Sequence, residues 1–248
     1  MMLAMHQGEQ QSRRELLAGL AGLSFLPAAR TPRIGGAGFR WIRRGVSSRR
    51  YLHIHGDETT AREALLAHMR TGDGVAFLVE SETRMVPIRG GIVDPNRIFS
   101  RVGAEANLRR FNPSWDANQL RAALEVLDRD RRRFVKAVMP PAGGLLIALH
   151  NNASGYSVHD ETPISDRISL NNPGHPREFL LCTDALDFEI LSTLSWNVVL
   201  QQKAPTEDDG SLSRLAARAG FRYLNIETPR GDLQRQRRLL SVVDSELP

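Results

Sequence analysis

The run Gly144-Leu-Leu-Ile-Ala-Leu-His150 constrains the fold more than any other stretch of this chain. It is short and almost wholly apolar, and it stops abruptly at His150-Asn151-Asn152, as a strand covered on both faces does. Similar short runs lie at Tyr51–His55, Val75–Val79, Phe179–Cys182, Trp196–Gln201 and Tyr223–Ile226. Helical patterns fall between them. Thr59–Arg70 places Ala64, Leu65 and Met69 on one face, and Asn118–Val138 does the same with Leu120, Leu124, Leu127 and Phe134. Shorter ones cover Asp184–Leu194, Gly231–Val243 and Ser211–Ala219, the last closing on Gly220 at a natural C-cap position.

This alternation predicts a single α/β domain, with a mostly parallel or mixed twisted sheet and helices on both faces. Two stretches stand apart. Residues 81–117, rich in Gly, Pro and Asn, read as a long functional loop, and 151–177 as a second irregular stretch.

Composition narrows the function classes. The chain has 248 residues, of which 41% are hydrophobic and 25% charged, enough for a sizeable core without disulfides. Cys182 is the single cysteine, which excludes a disulfide-stapled scaffold; in an apolar strand with no basic neighbour it reads as a buried, inert thiol. No apolar run reaches the roughly 20 residues of a spanning helix, so no stable membrane anchor is expected. The net charge is +5, and 31 of the 33 basic residues are arginine, a skew that reflects genome composition better than a nucleic-acid footprint. Aromatics at 6% also weigh against a stacking platform, and no nucleic-acid partner is expected.

The first residues read differently. Ser12-Arg13-Arg14-Glu15-Leu16-Leu17 opens a short apolar stretch that ends in small residues near 29, similar to a twin-arginine signal peptide. Residues 1–29 are then the signal, 30–38 a linker and 39–248 the catalytic domain. The product would be exported to the periplasm, or stay cytoplasmic if the signal does not function. An amphipathic first helix is the alternative reading.

Ligands of such sheets sit beyond the carboxyl ends of the strands, and four constellations fall there or in the adjoining loops. In His55-Gly56-Asp57-Glu58, an imidazole and a carboxylate three residues apart can converge on one cation, or merely form a polar strand end with a capping acid. His150 ends the apolar strand, as a ligand or as a satisfied edge histidine. Asn96-Arg97 offers an amide and a guanidinium fork suited to a carboxylate, and Arg89 a second cation for a carbonyl oxygen as charge develops, or the two are surface arginines on a loop. Glu227 ends another strand, as a proton-transfer group or as an ion-pair partner for the Arg-rich helix that follows.

Taken in order, His-x-x-Glu, Arg…Asn-Arg, His and Glu resemble the zinc carboxypeptidase (M14-like) superfamily, including its succinylglutamate desuccinylase/aspartoacylase branch. Asp94-Pro95-Asn96-Arg97-Ile98-Phe99 is the most specific piece. The resemblance implies a zinc-carboxypeptidase-like fold and one zinc ion held by His55, Glu58 and His150. Asn96 and Arg97 would bind a substrate carboxylate, Arg89 would polarise the scissile carbonyl and Glu227 would activate the water. The implied function is metallocarboxypeptidase-like cleavage of an amide bond beside a free carboxylate, in a peptide, or N-acyl amino acid deacylation in the manner of the second branch. A non-catalytic binding protein on the same fold is a third reading. His55-Gly56-Asp57-Glu58 is one step from the deacylases' His-Gly-Asn-Glu, and the Arg89-to-Asn96 spacing also fits that branch. The substrate-capping tyrosine has no clear counterpart, Tyr156 being the nearest candidate.

Overall fold

The computed structural model describes residues 31–153, 155–203 and 206–248; the expected signal peptide lies outside them. The strands are β1 (Arg33–Ile34), β2 (Ala37–Arg44), β3 (Arg50–His53), β4 (Gly74–Val79), β5 (Val86–Ile88), β6 (Gly91–Val93), β7 (Leu146–Asn152), β8 (Arg167–Leu170), β9 (Phe179–Cys182), β10 (Asn197–Leu200) and β11 (Tyr223–Pro229). The helices are α1 (Thr59–His68), α2 (Arg101–Phe111), α3 (Ala117–Val138), α4 (Val158–Glu161), α5 (Ala185–Ser192), α6 (Leu212–Ala219) and α7 (Leu233–Glu246).

Nine strands form one sheet in the order β1-β2-β4-β3-β7-β11-β9-β10-β8. The sheet is mixed. Its middle, β4-β3-β7-β11, is parallel, whereas β2 runs antiparallel to β4 and β9 antiparallel to β11. The carboxyl ends of β3, β7 and β11 therefore open on one edge, and that edge carries the site.

Side-chain alternation sends successive residues of the central strands into two layers. Leu146, Ala148 and Tyr223 pack with Leu124, Leu127 and Phe134 of α3 and with Leu212 and Ala216 of α6. Ile147, Leu149, Leu224 and Ile226 pack on the other face with Leu65 of α1, Phe188 of α5 and Leu239 of α7. Both faces of β7 and β11 are thus covered, which is why these strands read as nearly continuous apolar runs. Helix α3 is fixed at its start by a capping box between Asp116 and Gln119.

Three regions depart from the sequence expectations. Within the expected linker 30–38, the described residues 31–38 hold β1 and the start of β2, which pair antiparallel. The supposed loop 81–117 holds the β5–β6 hairpin, a 3-10 turn at Pro95–Arg97 and helix α2. The irregular stretch 151–177 holds α4 and the edge strand β8, antiparallel to β10. No helix among the described residues is long and apolar enough to cross a membrane.

Candidate metal centre

The chain turns sharply after β3, and Gly56 permits it: a Cβ there would stand 2.2 Å from the backbone oxygen of Ser81. The turn delivers His55 into the cleft and places Glu58 at the N-cap position of α1, with no capping hydrogen bond from its side chain. The Glu58 carboxylate is therefore unspent. Its Oε1 lies 2.8 Å from His55 Nδ1 and its Oε2 lies 3.1 Å from His150 Nδ1. All three residues are buried, and their donor atoms lie within 4.8 Å of one another, as a common metal ion requires. His53 does not join them; its ring donates to the Glu58 carbonyl oxygen at 3.0 Å. Burial keeps His53 neutral down to about pH 4, against the hydrogen bond and charge of Glu58.

A second carboxylate fixes His55. Asp94 Oδ1 accepts from His55 Nε2 at 2.8 Å, and the backbone N–H of Asp94 donates to Asn107 on α2. Burial alone would lower the His55 pKa, but the charge of Glu58 and hydrogen bonds to both carboxylates hold it up to about 9. Burial likewise works to raise the Glu58 carboxyl, and the facing His55 and His150 overcome it and hold it well below the usual range. In the metal-free protein, then, a proton on His55 does part of what a cation would do.

Glu227 stands directly opposite His150 in the parallel register of β11 and β7. Burial pushes its carboxyl upward, reinforced by Glu58, while His150 and the amides of Asn225 and Asn152 pull the other way. Those two amides donate to its two oxygens, each at 3.2 Å. Arg177 in turn donates to Asn152 Oδ1 at 3.0 Å.

His55, Glu58, His150, Asn152, Asn225 and Glu227 line a cleft of about 470 Å³, which Asn96, Arg97, Tyr156 and Arg84 also border. The Asn96 amide oxygen accepts from the Leu212 N–H, which fixes the orientation of the amide. Arg97 is half-buried beside it, with Nε 3.7 Å from Asp209. Tyr156 donates to Glu161 at 2.7 Å, and Glu161 borders the cleft as well.

Arg89 is elsewhere. It sits at the exposed tip of the β5–β6 hairpin, with φ 50°, in a two-residue Arg89-Gly90 turn, and does not line the cleft. Arg84 lines it instead. Its guanidinium lies 3.0 Å from Glu58 Oε1 and 3.3 Å from Asp94 Oδ2. Sequence reasoning also passed over Asp94, although it heads the Asp-Pro-Asn-Arg motif, and Asn152, two residues beyond His150 on β7. Nothing in the sequence marks Arg84. Cys182 is buried, and burial raises its thiol, in keeping with an inert role.

No family model and no curated protein matches the chain. Among solved structures, it is similar to a succinylglutamate desuccinylase/aspartoacylase from Rhodobacter sphaeroides, at 15% identity and a TM-score of 0.41, over 84% of this chain. The chain spans 58% of that protein's length.

Proposed function

We propose that this chain is a zinc-dependent hydrolase of an amide bond adjacent to a free carboxylate, acting on N-acyl amino acids. The observation that carries this reading is the convergence of the His55 and His150 Nδ1 atoms on the Glu58 carboxylate, with buried Glu227 beside them. Two imidazoles and a carboxylate are a common ligand set for catalytic zinc, and Asp94 already turns His55 to present Nδ1. Zinc held by His55, Glu58 and His150 would supply a Lewis acid for the carbonyl and would make water a stronger acid at neutral pH.

The protein groups account for the rest. Arg97 pairs with the substrate carboxylate, aided by the Asn96 NH₂. Arg84, rather than Arg89, faces the negative charge that develops on the carbonyl oxygen. Glu227 takes a proton from the attacking water and returns it to the leaving nitrogen, its oxygens aligned by Asn152 and Asn225. A cleft of about 470 Å³ suits one amide with its flanking groups, which favours a small acyl amino acid over a peptide lying along a groove. Export on the twin-arginine-type signal would put this reaction in the periplasm.

The test is metal analysis joined to an assay on N-acyl amino acids and short peptides. One zinc per chain is expected, with hydrolysis lost on chelation and restored by zinc. Glu227→Gln is expected to retain the metal and lose about 10²–10⁴-fold in kcat. Purified protein without stoichiometric metal, or turnover indifferent to chelator, would overturn the reading; ligand uptake without turnover would make the chain a binding protein.

A further inference from the structure

Glu58 occupies the N-cap of α1, where a side chain ordinarily accepts from the backbone N–H two or three residues on. Its own carboxylate makes no such bond. The N–H three residues on belongs to Ala61, which is wholly buried and has no water to turn to. That N–H donates instead to Asn151 Oδ1 at 2.8 Å. The cap of α1 thus comes from β7, from the residue directly after His150.

Successive residues of β7 point to opposite sides of the sheet, so His150 meets Glu58 while Asn151 reaches the start of α1 and the side of α7. Because an N–H only donates, the Ala61 bond fixes which end of the Asn151 amide is oxygen. Its NH₂ then donates to Gln236 Oε1 on α7 at 2.8 Å and to Thr228 Oγ1 on β11 at 3.3 Å. Asn151 is 5% exposed and Gln236 fully buried, so both ends of the Asn151 amide are spent inside the protein.

Without this bond the Ala61 N–H would be a buried orphan, and the N-cap position makes the Glu58 carboxylate next in line to accept from it. A carboxylate turned there would leave His55 and His150. We propose that Asn151 is a positioning residue: it caps α1 in place of Glu58 and so keeps the Glu58 carboxylate available to the metal. The inference rests on the reading of His55, Glu58 and His150 as a zinc site.

The test is amide hydrogen exchange on the chelator-treated full chain, joined to zinc affinity measured by competition with a chromophoric chelator. In wild-type protein the Ala61 amide is expected to exchange as slowly as the interior amides of α1. Relative to those amides, Asn151→Leu should speed Ala61 exchange by about tenfold, as loss of a cap does, whereas Glu58→Ala should leave it unchanged. Exchange that is fast in wild-type protein, indifferent to Asn151→Leu or quickened by Glu58→Ala would overturn the proposal. The Glu58→Ala comparison stands even if Asn151→Leu fails to fold. Asn151→Leu is also expected to weaken zinc binding by roughly 10–100-fold, while Val243→Ala, which loosens α7 in the same layer, should leave it unchanged. Equal weakening by Val243→Ala would reduce Asn151 to a structural cap and overturn its positioning role. Wild-type protein without zinc would sink the hydrolase reading and leave the exchange result to decide the cap, whereas zinc bound equally by wild type and Asn151→Leu would sink only this inference.

Discussion

His55 donates through Nε2 to Asp94 at 2.8 Å, and this single bond decides which ring nitrogen faces the cleft. It ties the His-x-x-Glu turn to the Asp-Pro-Asn-Arg segment, two stretches that the sequence keeps far apart. Carboxylates placed behind ligating histidines orient the ring and strengthen it as a donor. Asp94→Asn is therefore expected to weaken zinc binding by roughly 10–100-fold while leaving the fold intact. Competition against a chromophoric chelator measures it; unaltered affinity would remove Asp94 from the site.

The proton on His55 gives the metal-free protein a distinctive pH response. Its folded pKa, about 9, lies above the ordinary histidine value of 6.5. The associated stability is present in full below pH 6.5 and is lost as pH rises through 9, an upper limit of roughly 3 kcal/mol. The melting temperature of chelator-treated protein should accordingly fall between pH 7 and 9.5. Zinc displaces that proton, so its affinity should rise over the same interval and its uptake should release protons into weak buffer. A metal-free protein whose melting temperature is flat across this range would contradict the arrangement.

Arg84 and Arg89 give opposite expectations. Arg84→Met removes the guanidinium beside Glu58 and should cost about 10²–10³-fold in kcat, as loss of one oxyanion donor does. Arg89→Met alters only a hairpin tip and should leave kcat and KM within about twofold. Measuring both variants side by side distinguishes a cleft residue from a surface one, and the reverse ranking would reinstate Arg89.

Gly103 offers a test of packing. Alanine inside a helix is ordinarily favoured over glycine by about 1 kcal/mol. Here a Cβ would stand 2.3 Å from the Cα of Gly210, whose own Cβ position is blocked by the Arg97 carbonyl at 2.4 Å. Gly103→Ala should therefore destabilise the protein, by about 1–3 kcal/mol, and disturb Arg97 through Gly210. Denaturant unfolding gives the sign, and a more stable variant would show that α2 and the α6 approach loop can part freely.

The same glycine explains part of what the sequence concealed. Helix α2 carries Gly103 for a close backbone approach and ends in Asn112-Pro113, so local signals there spell loop while tertiary packing makes a helix. Strand β2 is crowded with arginines at positions 40, 43 and 44, which mask its pairing with β4. By contrast β7, β9 and α3 were legible because burial dictates their composition directly. His55, His150 and Glu227 were legible for a related reason, as polar residues that interrupt apolar runs at one sheet edge. The place of Arg84 at the cleft was not, since it depends on how the segment leading into β5 folds back over Glu58, and a spacing in sequence does not reveal that Arg89 lies at a hairpin tip.

The register that sets Glu227 opposite His150 also limits how this chain can change. Slipping β11 by one residue against β7 would carry Glu227 to the reverse side of the sheet, among Leu239 and its neighbours, and would bring an isoleucine or threonine to face the histidine. Single-residue insertions within β7 or β11 should therefore extinguish the chemistry even where folding survives, whereas the exposed β5–β6 hairpin can gain or lose residues freely. Descendants of this sequence would be expected to vary in length at that tip and hold constant along those two strands.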